Sequence, residues 1–353
     1  MICVNNYKIE VFFIAAASTV FAVLFFLHPA VMIDGLRKGL AVCGTSVIPS
    51  LFPFMVLSDF LVRSGFSNII GNRISPLTGK LFRLPGAAGC AVIMSLIGGF
   101  PVGAKMTAQL FENGDITAEQ GRRMMIFCVN AGPAFVIGTV GTVMLSSRKA
   151  GIILFVSMTV TSLLTGIASK IIARGECEIK AEIKAEYTRG ALTDSVSQSV
   201  QSMLNVCAWI LLFSGINEFF IRLPVSRTTS VWFSIMSEVT GGCMSASGCF
   251  PACVLALVLG WAGLAVHCQL MPYLRVLGMK ITYLWAARLI AGGVSSAVAW
   301  ILFRIFPCEI SVFSNMSDII SKPYSVSAPA AAAMLVLSAL MLTDIKLARR
   351  EKV

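Results

Sequence analysis

The stretch Gly98-Gly99-Phe100-Pro101-Val102-Gly103-Ala104-Lys105 sets glycines, a proline and a lysine inside the apolar run 86–111. Irregular backbone at membrane depth is costly unless protein or a water-filled cavity surrounds it. The glycines leave backbone amides open to a ligand. A helix starting after Pro101 would aim the positive end of its dipole at an anion. Lys105 follows about one turn later, and an ammonium there needs an anionic partner or water. Gly99, Pro101, Gly103 and Lys105 are therefore candidates for holding a carboxylate or phosphate. Lys105 has a structural alternative: snorkelling to the cytoplasmic surface, or pairing with Glu112 or Asp115.

Three further places carry polar chemistry. Asn130-Ala131-Gly132-Pro133 interrupts another apolar run. Pro133 removes a backbone donor and frees an upstream carbonyl, and the Asn130 amide both donates and accepts. Asn130 and Gly132 are candidate lining, with a structural kink tied by Asn130 as the alternative. Glu238 precedes Thr240-Gly241-Gly242; a carboxylate beside that glycine pair can bind substrate donors or couple a proton or cation, or can simply be solvated near the outer surface. His267 and Gln269 add a titratable ring and an amide, with an interhelical hydrogen bond as the bland reading. Arg288 lies about five residues into its segment and reads as a snorkelling side chain. Arg122 and Arg123 read as topology anchors, and Pro49 and Pro53 as bends.

The chain has no P-loop, no G-x-S-x-G, no H-E-x-x-H and no acids paired at catalytic spacing. No catalysis, cofactor or metal site is expected. The 11 cysteines include no CxxC pair or Cys/His cluster and read as buried thiols.

These residues need a frame, and composition supplies it. Hydrophobic residues make up 57% and charged residues 13%, with a mean hydropathy of +0.84. Soluble domains carry about 25% charged residues, so this is a polytopic membrane protein, read as one membrane domain over 1–353. The net charge of +11 resides in short loops, as cytoplasmic membrane loops require, and does not point to nucleic acid. The expected partners are the lipid bilayer and a small anionic substrate; a homo-oligomer is compatible.

The apolar segments are 10–31, 38–62, 86–111, 123–145, 150–173, 198–221, 232–248, 250–271, 283–304 and 326–344. Most reach the ~20 residues of a crossing. Segment 232–248 is short and broken at Gly241-Gly242. The break at Gly98 to Pro101 leaves 86–111 with arms of only ~18 Å against a core of ~30 Å. Read as re-entrant hairpins, the two segments split the basic residues 18 inside to 8 outside. Letting both cross gives 15 to 11. The positive-inside rule selects the hairpins, with eight crossings and both termini cytoplasmic.

A repeat follows. Residues 36–173 run helix, broken hairpin, interrupted helix, helix; residues 195–306 run the same way, with Gly98-Gly99 matched to Gly241-Gly242. A cytoplasmic linker, 174–194, joins them, and 326–344 forms a C-terminal helix. An odd number of crossings per unit inverts the second. The fold class is an all-α membrane protein: a polytopic helical bundle with two inverted repeats, each containing a re-entrant hairpin and an interrupted helix. Locally, Asn113-Gly114 ends the second hairpin arm, and Thr117 with Gln120 forms a capping box for the next helix.

Four motifs together resemble one family. They are Val47-Ile48-Pro49-Ser50-Leu51-Phe52-Pro53-Phe54, Gly99 to Lys105, Asn130-Ala131-Gly132-Pro133-Ala134-Phe135-Val136-Ile137-Gly138, and Gly263-Leu264-Ala265-Val266-His267-Cys268-Gln269. They are similar, in order, to motifs of the YlbJ-type sporulation integral membrane proteins, in the nucleoside-recognition or Gate domain group. The resemblance covers about residues 36–306. It implies an architecture related to concentrative nucleoside transporters and a role in spore formation, with dipicolinic acid carried out of the mother cell across the outer forespore membrane. Asn130-Ala131 stands where the family has a double Asn, and Gly99-Phe100 where it has Gly-Tyr, so one amide and one hydroxyl are lost. The alternatives are a nucleoside or nucleobase transporter and a non-transporting membrane scaffold for spore assembly.

Overall fold

The computed structural model describes residues 25–172 and 190–308, together with Thr19, Ala22 and Val23. Most of segment 10–31, most of linker 174–194 and the C-terminal segment 326–344 lie outside the described residues. The described residues are helical throughout, without strands.

Helices α1 (Pro29–Val42) and α2 (Ile48–Arg63) are joined through one π-helical turn, Cys43–Val47. Pro49 follows that wide turn directly and has no amide to give the helical ladder. Helix α3 (Phe66–Phe82) occupies a region that the apolar segments leave as a connection. It leaves α4 (Gly86–Gly98) at 83°. Small residues allow the two to touch: a Cβ on Gly71 would lie 2.5 Å from the Gly86 carbonyl carbon. The opposite face of α3 is exposed and carries Phe66, Ile69, Ile70 and Leu77 with Arg73 and Lys80 at helical spacing.

Next come α5 (Phe100–Glu112), α6 (Ala118–Phe127), a π-helix at Ala134–Met144 and α7 (Arg148–Ile172). Beyond the linker are α8 (Ala191–Ile221), α9 (Arg227–Ser237), α10 (Val239–Ser247), α11 (Ala252–Trp261), α12 (Gly263–Val276) and α13 (Ile281–Ile305). The expected local signals are present. Asn113 caps α5, Gly114 takes a φ of +80°, and Thr117 and Gln120 close a reciprocal capping box.

Five stretches among the described residues are long and apolar enough to cross a bilayer: Pro29–Arg63, Arg148–Ile171, Ala191–Ile221, Ala252–Val276 and Ile281–Ile305. The hairpin segments 86–111 and 232–248 are not among them, and 123–145 divides into α6 and the π-helix. Apart from α3, which has no counterpart in the second half, the element order helix, folded pair, broken helix, helix occurs in both halves.

One apolar cluster lies among α2, α4, α5 and α6, and a second among α9 to α13, the π-helix and α7. Helix α8 ties the halves together. It meets α1 where Gly35 and Gly39 let the backbones approach at Ser214 and Gly215. At one end Lys38 pairs with Glu218 at 2.6 Å and Arg222 with Asp34 at 2.8 Å. Elsewhere Lys170 Nζ donates to the Lys80 carbonyl at 2.8 Å, and Arg122 to the Leu277 carbonyl at 3.2 Å. Each pair joins loops that the charge count assigns to the same side.

Candidate functional site: two hairpins against two broken helices

Helices α4 and α5 fold back on each other at Gly99. Its φ of +91° suits only glycine without strain, and a Cβ there would sit 2.7 Å from Leu51 Cδ2. Four residues beyond the tip, Gly103 packs on Ser95, four residues before it, and against the Cys128 carbonyl at the end of α6. Gly132, in the break between α6 and the π-helix, would place a Cβ 3.2 Å from the Gly99 nitrogen. The tip and the break therefore meet backbone to backbone. Phe100 and Pro101 form the first turn of α5, and no side chain caps it.

The second hairpin, α9 and α10, repeats this geometry. Its tip is Glu238, in extended conformation between the two helices. Four residues on, a Cβ at Gly242 would lie 2.9 Å from Ile235 Cα and 3.2 Å from the carbonyl of Ser234, four residues before the tip. Gly263, with φ +77° in the break between α11 and α12, would place a Cβ 2.9 Å from Glu238 Cα. Geometry thus equates Gly99 with Glu238 and Gly103 with Gly242. The expected match of Gly98-Gly99 to Gly241-Gly242 is corrected by about one helical turn: the second hairpin bends before its glycines, at the residue whose side chain can cap the next helix.

The chemistry at the two tips differs. Glu238 is buried, and its two carboxylate oxygens accept from the Thr240 amide at 2.8 Å and the Gly241 amide at 2.7 Å. Its charge is spent on its own helix N-terminus, not on solvent. Asn217 of α8, not anticipated from sequence, supports this hairpin: its Oδ1 accepts from Ser234 Oγ at 2.8 Å.

Lys105 is 3% exposed and lies 3.1 Å from Asp59 Oδ1 of α2. Its partner is neither Glu112 nor Asp115, and it does not reach the surface. Asp59 also accepts from Arg63 Nε at 2.6 Å and from the Gln109 amide. An acid inside segment 38–62 was itself a signal of a buried partner.

Asn130 is buried and donates to the Phe127 carbonyl at 2.8 Å and to Ser162 Oγ of α7 at 3.1 Å. Its amide ties the break to its neighbour. His267 is 1% exposed; its ring stands edge-on to Trp261 with centroids 4.5 Å apart, and neither ring nitrogen has a hydrogen-bond partner. Gln269 is buried on the same helix. Arg288 is not a snorkelling side chain: it is 2% exposed, and its Nη1 donates to the Val129 carbonyl at 2.5 Å. Arg123, expected at the surface, is buried and donates to the Phe82 carbonyl.

Seven of the candidate residues therefore gather at two points, apart from Asn130, Lys105, His267 and Gln269. Gly99, Pro101, Gly103 and Gly132 meet at one hairpin and break; Glu238, Gly241 and Gly242 meet at the other, against Gly263. Lys105 is turned toward α2.

This is a helical integral membrane protein whose residues 45–175, α2 to α7 with the first hairpin and break, match the family model described as Gate: Nucleoside recognition. The chain is also 25% identical over 345 aligned residues to the sporulation integral membrane protein YlbJ of Bacillus subtilis (strain 168), covering 85% of this chain and 83% of that protein. Both findings bear out the resemblance carried by the four motifs. No solved structure matches the chain.

Proposed function

We propose that this protein is a membrane transporter of a small organic anion, with dipicolinate, moved from the mother cell toward the forespore during sporulation, as its cargo. The supporting observation is the pair of helical hairpins whose tips abut the breaks of two interrupted helices. In this reading the hairpins are re-entrant, the two units are inverted repeats, and the cargo site lies near the midplane. The first tip supports an anionic cargo, because α5 begins there with no side chain on its N-terminus. Asn130, His267 and Gln269 are the further polar lining. Lys105 contributes at most residual positive potential, since Asp59 already faces it.

The Gate description favours a second reading, a nucleoside or nucleobase carrier. Purified protein in liposomes tests both. The expected result is saturable dipicolinate counterflow that uridine does not inhibit. Uridine flux without dipicolinate flux would establish the second reading. Flux of neither under any gradient would leave a non-transporting scaffold for spore assembly.

A further inference from the structure

The break at residues 128–133 meets a second element besides the hairpin tip. Helix α13 reaches it through Arg288, which leans on the Val129 carbonyl. Beside this contact lies a small cleft lined by Phe127, Asn130, Thr161, Ser162, Arg288 and Ser295. It has room for about one water-sized occupant.

The guanidinium in this cleft is under-satisfied. Arginine carries five N–H donors and stays charged. Here Nη1 has its carbonyl, whereas Nε is buried without a partner. Among the described residues no carboxylate pairs with Arg288. The elements around it offer hydroxyls, the Asn130 amide and, on α12, His267, whose flanking Trp285 lies three residues before Arg288. A buried charge of this kind needs an opposite charge or a strong hydrogen-bonding partner. Lys105 differs, because the Asp59 carboxylate faces it at 3.1 Å.

We propose that Arg288 and the cleft beside it form a binding site for a single halide ion. The anion's negative charge faces the guanidinium, and Ser295, two turns along the same face of α13, lines its other side. The cleft is too small for an aromatic ring, so this site is separate from the cargo site at the hairpin tip. Occupancy would meet the part of the guanidinium that the Val129 carbonyl leaves unmet and so hold Arg288 more firmly against the first break. The site does not depend on the transport reading.

Binding is read on the full-length protein in detergent, without any flux measurement. Sodium chloride and, separately, sodium formate are titrated at constant ionic strength against a bulky sulfonate salt, and melting is followed by tryptophan fluorescence. Chloride should raise the melting temperature saturably, whereas formate, with three heavy atoms, should not; an equal saturable shift with formate would overturn the assignment to this cleft. Arg288→Met should weaken the apparent affinity roughly tenfold or more, as expected for loss of a charge-assisted partner. Ser295→Val narrows the cleft while keeping the charge, and should weaken it several-fold; it carries the test if Arg288→Met does not fold. No saturable shift in the unaltered protein, or unchanged affinity in these variants, overturns the proposal. Anion binding without dipicolinate flux would keep this site and remove only the transport reading.

Discussion

The two hairpins share a backbone and differ in what their tips carry. In both, the fourth residue past the tip is a glycine packed on the opposite arm, and a broken helix closes against the tip. The second brings its own anion: the Glu238 carboxylate sits on the first amides of α10. The first has only Gly99 there, and its charge lies lower on the arm, where Lys105 is locked to Asp59. One hairpin is therefore capped by a side chain at its tip, while the other is pinned along its side and uncapped at its tip. The repeated scaffold thus carries an acid at one tip and a base further along the other arm.

The sharpest way to break this comparison is to unpin the first hairpin. Asp59→Ala leaves Lys105 buried without its carboxylate and should cost about 3–5 kcal/mol, read as a lower melting temperature in detergent. Adding Lys105→Met should recover part of that loss, because the stranded charge is then gone. Wild-type melting of Asp59→Ala alone would mean that the arm is not pinned. A smaller effect separates the close approaches. Gly103→Ala drives a methyl into the Cys128 carbonyl and Ser95, an overpacking worth about 1–3 kcal/mol. Gly242→Ala meets Ile235 at a looser contact and should cost less; the reverse order would undo the equivalence of the hairpins. The smallest expected change is Glu238→Ala, about 1 kcal/mol for a lost helix cap. It would give the second tip the uncapped character of the first, read as a small drop in melting temperature.

Features set by neighbouring residues were legible in the sequence. The hairpin tip at Gly99, the end of α5 at Asn113-Gly114 and the capping box from Thr117 to Gln120 are all local consequences of residue type. Partners from distant segments were not. Asp59 and Lys105 are joined by the packing of α2 on α5, and nothing in either segment names the other. The depth of Arg288 from the helix end fixes how far its side chain can reach but not which way it points. Helix α3 was hidden because Asn68, Asn72, Arg73 and Pro76 break its apolar run. Matching glycine to glycine misses the register of the second hairpin, whereas the fold matches bend to bend.

Helix α3 has one more effect. Transmembrane helices tilt by about 0–40°, so two helices meeting at 83° cannot both stand upright in a bilayer. The outer side of α3, oily residues interspersed with Arg73 and Lys80, suits it to lie along the water boundary while α4 descends. If the first hairpin is re-entrant as proposed, α3 would work as a float: its buoyancy would set how deep that hairpin hangs, and a charge placed at Ile70 or Leu77 would change its draught.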